Sequence, residues 1–132
     1  MIDSHCHLNF NFSKNKFNEI LINAKENLIK SILTINTDPI EFSAHYKLIE
    51  NYPSIFISYG LHPENVSKTK LISSEEIIKE TLKNKVVGIG ETGLDFYHSD
   101  EFKKQQYIIF ENHIEASIKT NIPLIIHQRN SE

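Results

Sequence analysis

Short apolar runs alternate with segments of helical periodicity along the chain. The apolar runs are continuous, as in Ile32-Leu33-Thr34-Ile35 and Ile55-Phe56-Ile57, and lack the alternation of half-exposed strands. Continuous runs are typical of strands covered on both faces, and therefore of a parallel sheet flanked by helices. The pattern predicts five strands, which are Met1–His7, Ile29–Ile35, Ile55–Tyr59, Val86–Gly90 and Pro123–His127.

Three of the segments between these strands carry clear helix signals. Apolar residues recur at helical spacing over Phe17–Leu28, which predicts the first helix. Asp38 and Glu41 predict a capping box at the start of the second helix. Ser73 and Glu76 predict the same motif at the start of the third helix.

The fourth helix is the longest, and its periodicity extends over about Asp100–Asn121. Its predicted buried face comprises Phe102, Ile109, Phe110, Ile114 and Ile118. The strict alternation of five strands with four helices predicts an α/β fold with a parallel sheet. No linker or low-complexity segment interrupts the alternation, so residues 1–132 are predicted to form a single domain.

Composition narrows the class of protein. The net charge of −3 is unlike the basic balance of proteins that attract nucleic acid through their overall field. A phosphate-bearing substrate would have to be held locally. The single cysteine, Cys6, excludes a disulfide within the chain and fits a reducing cytoplasm. Because the N-terminus lacks a signal-peptide pattern and no apolar run approaches the ~20 residues of a membrane span, a cytoplasmic location without membrane association is expected.

Two histidines lie at the end of the first predicted strand. Residues i and i+2 of a strand share a side, so the imidazoles of His5 and His7 are predicted to converge beyond the strand, and Cys6 to point the other way. Imidazole is a common ligand of divalent metals, and Asp3 could orient one ring from behind. Taken alone, the pattern favours a metal site only slightly over two unrelated histidines on a solvated strand end.

The run Gly88-Ile89-Gly90-Glu91-Thr92-Gly93 spells the dinucleotide fingerprint G-x-G-x-x-G. That motif must open a helix, whereas the next predicted helix begins only near Asp100, so we reject a dinucleotide site. Glu91 is instead predicted at the tip of the fourth strand, where glycines let the backbone turn and a ligand approach closely. Its carboxylate could bind one metal or bridge two. The alternative is an exposed glutamate in a glycine-rich turn.

Two further strands are followed by histidine. His62 comes after the third strand and could act as an acid or base or bind substrate, and His127 ends the fifth strand. Arg129 could reach the same edge and meet a phosphate. Judged singly, His127 fits a satisfied core histidine and His62 an ordinary turn. Outside this set, the predictions are a helix surface for His45 and a loop for His98.

Together, four of the five strands end in histidine or glutamate at the edge where (β/α) barrels carry their active sites. At these residues the sequence resembles the TatD family of metal-dependent deoxyribonucleases, among the amidohydrolase-like barrels. The segments that carry the resemblance are Asp3–Leu8, Gly60–Pro63, Gly90–Asp95, Gln106–Ala116 and Pro123–His127 with Arg129.

The resemblance implies a partial (β/α)8 TIM-type barrel and a centre of two divalent metal ions, Mg²⁺, Mn²⁺ or Zn²⁺. His5 and His7 would hold one ion, Glu91 would bridge both, and His127 would hold the second. His62, Asp95 and Arg129 are further candidates for catalysis or substrate binding. The implied activity is hydrolysis of phosphodiester bonds, as exonucleolytic release of nucleotides from single-stranded DNA.

The resemblance also implies three more strands after residue 132, with a further metal-binding histidine and an aspartate that serves as ligand and base. Five parallel strands leave two open edges. A complementary C-terminal fragment could complete the barrel, the chain could self-associate, or it could be a remnant without activity. A related hydrolase of amide or ester bonds is the remaining alternative, and the Glu91–Asp95 signature favours the nuclease.

Overall fold

In the computed structural model, which describes residues 1–8 and 11–132, five strands alternate with four α-helices. The strands are β1 (Ile2–Cys6), β2 (Ser31–Thr34), β3 (Ile55–Tyr59), β4 (Val86–Asp95) and β5 (Leu124–Arg129). The helices are α1 (Lys14–Glu26), α2 (Phe42–Ile49), α3 (Ser74–Thr81) and α4 (Lys103–Thr120), and a 3₁₀ turn covers Pro63–Asn65.

The five strands form one parallel sheet in the order β1-β2-β3-β4-β5, so each strand pairs with its successor along the chain. This is the arrangement of part of a (β/α)8 barrel, with β1 and β5 at the two edges. The predicted α/β fold of five parallel strands and four helices is therefore confirmed. All carboxyl ends of the strands lie along one edge of the sheet.

One continuous apolar core joins the central strands to the helices that cover them. Ile55 and Ile57 of β3 are almost completely buried, as are Ile49 of α2, Ile77 of α3 and Ile109 of α4. Each such side chain contributes roughly 1.5–3 kcal/mol through burial, which accounts for the continuous apolar runs in the sequence. Within the described ranges, no helix has both the length and the apolar character needed to span a membrane.

Apolar periodicity placed two residues wrongly. Leu28 lies beyond the end of α1, with a φ of 60° and 75% exposure. Ile118 of α4 is 77% exposed, because the buried face of that helix runs through Gln106, Ile109, His113 and Ala116. Two of those four residues are polar and are satisfied by hydrogen bonds, which a pattern of apolar residues alone does not reveal.

One of the two predicted capping boxes is present. The Ser73 hydroxyl accepts from the backbone N–H of Glu76, and the Glu76 carboxylate accepts from that of Ser73. The box predicted at Asp38 and Glu41 is wrong, because α2 begins after Glu41 and no side chain caps it. Asp38 instead accepts hydrogen bonds from the backbone N–H two residues on and from the Thr69 hydroxyl, so it stabilises a turn.

Two buried histidines stabilise the fold. The prediction that His45 lies on a helix surface is wrong, because this residue is only 5% exposed. Its Nε2 lies 3.0 Å from the hydroxyl of Thr34 in β2, so the buried ring has a hydrogen-bond partner in the sheet. His113 Nε2 accepts from the N–H of Leu61 at 3.1 Å, so its Nδ1 carries the proton that it donates to the Ile109 carbonyl at 2.7 Å. Burial lowers the pKa of each histidine from 6.5 to about 4.

A histidine that is buried neutral makes the fold sensitive to acid. Because the pKa of His113 falls on folding, its contribution to stability is complete above about pH 6.5 and is lost as the pH falls toward about 4. We expect the free energy of unfolding to fall by about 2 kcal/mol more in the wild type than in His113→Gln between about pH 7 and pH 5.

Glutamine can make both hydrogen bonds without titrating, and His45 titrates equally in both proteins. Urea denaturation at each pH measures the difference. Equal pH dependence in the two proteins would show that His113 does not change its protonation on unfolding.

Candidate metal centre

His5 ends β1 together with Cys6, and His7 follows directly. The two imidazole centroids lie 5.3 Å apart, so the rings are neighbours as predicted. Cys6 points away from them, with its Sγ 3.8 Å from the Leu33 carbonyl, and burial followed by the charge of Asp3 raises the pKa of this thiol to about 11. Asp3 accepts from the backbone N–H of His5 at 3.2 Å, and no contact of Asp3 with either ring is recorded in the described ranges.

Glu91 lies between His5 at the end of β1 and the pair formed by His62, after β3, and His127 of β5. The strand runs on to Asp95, so the prediction of Glu91 at the strand tip is wrong, and its side chain is nearly buried inside a cavity. Glu91 Oε2 lies 3.5 Å from His5 Nε2. Glu91 Oε1 lies 3.3 Å from His127 Nδ1 and 4.0 Å from His62 Nε2. The two carboxylate oxygens therefore face different histidines.

The glycines beside Glu91 let the backbone of β5 approach closely. The sequence predicts that a ligand would use this space, but β5 occupies it. Gly90 and Gly93 have φ values of 131° and 142°, which side-chain-bearing residues rarely adopt. A Cβ at Gly93 would lie 2.0 Å from the His127 carbonyl oxygen, and one at Gly90 would lie 2.4 Å from that of Ile125. The whole run lies in β4 and opens no helix, so it lacks the helix that a dinucleotide fingerprint requires.

His127 is held by two carboxylates. It lies inside β5, which continues to Arg129, with its Nε2 2.8 Å from Asp95 Oδ2 and its Nδ1 facing Glu91. Burial of Asp95 opposes its ionisation. The hydrogen bonds from the Tyr97 N–H and from His127, with the charge of Arg129, nevertheless hold the pKa of Asp95 below its usual value.

His62 has a defined tautomer in this structure. Its Nδ1 accepts from the backbone N–H of Glu64 at 3.2 Å, at the start of the 3₁₀ turn. The neutral ring therefore carries its proton on Nε2, the nitrogen that faces Glu91. Burial first, and then the positive charge of His127, lower the pKa of His62, so the neutral form is favoured.

The residues form two groups that share one carboxylate. Ligand atoms of His5, His7 and Glu91 lie within 4.8 Å of one another, and so do those of His62, Glu91 and His127. These groups border an open cavity of about 360 Å³ whose lining also includes Asp95 and the exposed Arg129. All seven predicted site residues are thus brought together. Imidazole and carboxylate donors at this separation fit divalent metal ions.

Two residues of α4 support the candidate site through hydrogen bonds that the sequence does not predict. Gln106 accepts from the N–H of Asp95 at 2.8 Å and donates to its carbonyl at 2.9 Å. His113, through its bond to Leu61, holds the backbone beside His62. Both residues lie in the Gln106–Ala116 segment that carries the resemblance, but no role was predicted for either, because the sequence alone does not distinguish buried polar residues of a helix from exposed ones.

His98 lies outside both groups. It is exposed in the loop after β4, as predicted, with its Nε2 3.8 Å from the Glu64 carboxylate.

One protein-family model matches nearly the whole chain. Residues 2–132 match the family model described as TatD related DNase. A Buchnera aphidicola protein (subspecies Acyrthosiphon pisum) named as a metal-dependent hydrolase is 38% identical, over 99% of this chain and 53% of its own length. A second Buchnera protein (subspecies Baizongia pistaciae) with the same description is 39% identical, over 99% of this chain and 50% of its own.

A solved structure shows the same fold. The crystal structure of YjjV, a TatD homologue from Escherichia coli K12, matches with a TM-score of 0.80 and 30% sequence identity. The match covers 98% of this chain and 51% of YjjV. The chain therefore spans about half the length of the curated relatives it matches.

Gln106 offers a test of how α4 supports the centre. Gln106→Leu would leave the buried N–H and carbonyl of Asp95 without partners, and each such loss costs about 1–3 kcal/mol. We expect the free energy of unfolding, measured with urea, to fall by at least about 2 kcal/mol. The adjacent half-buried Gln105 has no recorded side-chain hydrogen bond, so Gln105→Leu should change stability by less than about 0.5 kcal/mol. Equal losses in the two variants would contradict the assigned role.

Proposed function

This chain belongs to the TatD-related DNase family, and we propose that its cluster of histidines and carboxylates binds divalent metal ions for the hydrolysis of phosphodiester bonds in DNA. The position of Glu91 supports this proposal most directly, because its two oxygens face two separate sets of imidazoles. A single carboxylate placed in this way can bridge a pair of cations.

Four side chains supply the proposed ligands. His5 and His7 would hold one ion with Glu91 Oε2, and His127 Nδ1 would hold the second with Glu91 Oε1. Mg²⁺, Mn²⁺ and Zn²⁺ are the candidate ions. When bound, such ions polarise a phosphoryl oxygen and lower the pKa of the attacking water.

Asp95 acts on the centre through His127. Its carboxylate accepts from His127 Nε2 at 2.8 Å, and in the neutral ring, the form that can bind a cation, this hydrogen bond leaves the lone pair of Nδ1 directed toward Glu91. Carboxylates behind metal-binding histidines commonly set ring orientation and increase basicity in this way. We therefore assign Asp95 as a positioning residue, and its own anchoring by Gln106 keeps that hydrogen bond aligned.

His62 is the proposed hydrogen-bond donor of the cavity. Because its Nδ1 accepts from the Glu64 N–H, its Nε2 carries the proton, faces the Glu91 carboxylate and has no lone pair free for a cation. A neutral imidazole N–H in this position can donate a hydrogen bond to a phosphate oxygen and stabilise the negative charge that develops there. Of the two roles that the sequence left open for His62, this geometry favours substrate binding.

The proposed substrate is single-stranded DNA. The cavity is open, and its described lining includes the guanidinium of Arg129, which can meet a phosphate locally although the chain as a whole is acidic. Release of nucleotides from single-stranded DNA with Mg²⁺ or Mn²⁺ tests the activity. The proposed function would be overturned if the purified chain neither binds divalent metal nor hydrolyses DNA.

Glu91→Gln tests the shared ligand. Loss of one negative charge from both groups should weaken binding of Mn²⁺ or Zn²⁺, measured by titration calorimetry, by more than about 100-fold, since changes behind the ligands alone cost about 10- to 100-fold. Glu64→Gln is the matched control, because Glu64 borders the same cavity but belongs to neither group. Similar affinities in both variants would rule out Glu91 as a ligand.

His62→Asn separates phosphate binding from metal binding. Asparagine can still accept from the Glu64 N–H and start the 3₁₀ turn, but it is too short to present an N–H donor where Nε2 of His62 lies. We expect hydrolysis to slow by about 10²- to 10³-fold while metal affinity stays unchanged. A loss of metal affinity comparable to that of Glu91→Gln would identify His62 as a ligand instead.

A further inference from the structure

The single arginine of the chain lies at the rim of the candidate metal centre. Arg129 is the last residue of β5, and its Cζ lies 3.5 Å from the centroid of the Tyr97 ring. Both side chains are exposed, Tyr97 to 53%. The contact is a cation–π pair in which Arg129 borders the cavity, and neither residue belongs to the metal-binding groups.

Backbone hydrogen bonds bring the two side chains together. Asp95 and Arg129 are paired in the sheet, and the N–H of Phe96 donates to the Arg129 carbonyl at 3.0 Å. The N–H of Tyr97 then donates to the Asp95 carboxylate at 3.0 Å. The loop after β4 therefore folds back over the end of β5. The hydrogen bonds of the Phe96 and Tyr97 N–H groups hold the Tyr97 ring against the Arg129 guanidinium.

The hydrogen-bonding capacity of Arg129 is unused. Within residues 1–8 and 11–132, the guanidinium makes no ion pair and no side-chain hydrogen bond, although Glu64, Glu91 and Asp95 border the same cavity. A guanidinium that contacts a ring through its face keeps the N–H donors of its edge available. Those donors fit an oxyanion such as phosphate in a bidentate way.

We propose that Tyr97 is a positioning residue that holds Arg129 at the cavity rim to contact a phosphate of single-stranded DNA adjoining the scissile one. This inference rests on the proposed function. Glu91 is 8% exposed inside the cavity, so the scissile phosphate would lie deep, whereas the exposed Arg129 can reach only a group nearer the rim. The group that Arg129 contacts is an anion, because its guanidinium is permanently positive and its N–H donors are free, and within the described ranges Arg129 is the one such side chain that borders this cavity.

The salt dependence of DNA binding tests the proposal. Affinity for a fluorescent phosphorothioate oligothymidylate, which resists hydrolysis, is measured by anisotropy at fixed Mg²⁺ over a range of NaCl concentrations. Each phosphate contact on a single strand contributes about 0.7 to the slope of log affinity against log salt. We expect Arg129→Ala to reduce the slope by about 0.7 and to weaken binding about tenfold at low salt.

Variants of Tyr97 show whether it acts through Arg129. Tyr97→Leu should lower the slope nearly as much as Arg129→Ala, and Tyr97→Phe, which keeps the ring, should retain the wild-type slope. In the Arg129→Ala background, Tyr97→Leu should add no further change, because the two residues form one unit. Lys103→Ala is the matched control, since it removes a cation–π pair with Phe96 at 4.6 Å that does not border the cavity.

Two outcomes overturn the proposal. Either the slope is unchanged in Arg129→Ala, or the effects of Tyr97→Leu and Arg129→Ala simply add. If metal binding and hydrolysis persist in the wild type, such a result removes only the roles of Tyr97 and Arg129. Loss of the proposed function itself would be recognised separately, by absence of metal binding in the unmodified chain.

Discussion

The close approach of β4 and β5 is the constraint on which the centre depends. Between Ile89 and Thr92, β4 contains one residue more than the facing segment of β5, and this bulge requires Gly90. Beyond it, Glu91 and Asp95 share one side of β4 with Gly93 between them. Gly93 is paired with His127, and its missing side chain leaves room for that imidazole to reach both carboxylates. Any side chain at Gly93 would move the strands apart.

Helix α4 fixes the backbone that this arrangement needs. A cluster of charges tolerates little displacement, because hydrogen bonds weaken steeply with poor alignment. Gln106 holds both polar groups of Asp95, and His113 holds the strand end just before His62. These three bonds run from a regular helix to the end of β4 and to the segment just after β3, so the positions of the site residues follow from the packing of rigid elements.

The order of elements and the gathering of the candidate site residues around one cavity could be predicted from the sequence, because apolar runs and the carboxyl ends of parallel strands obey simple rules. It could not predict that β4 and β5 continue through Glu91 and His127. In a hydropathy pattern, a polar residue after an apolar run looks like the end of a strand. Glu91 and His127 instead lie inside their strands, because each finds its polar partner on the neighbouring strand. The burial of His45 and the turn at Asp38 were missed for the same reason, since Thr34 and Thr69 satisfy them from distant parts of the chain.

The second nitrogen of each imidazole decides which group the first can bind, and a sequence motif does not show that nitrogen. In its neutral form His127 donates to Asp95 through Nε2 and offers the lone pair of Nδ1, whereas His62 accepts an amide proton at Nδ1 and offers the hydrogen of Nε2. The two rings lie 4.3 Å apart and face the same carboxylate, so their position alone does not distinguish them. The difference comes from the Asp95 carboxylate behind His127 and from the turn that starts at Pro63 beside His62. Spacing in the sequence therefore locates the candidate metal centre, and the hydrogen bonds behind it distinguish the proposed metal ligand from the proposed hydrogen-bond donor.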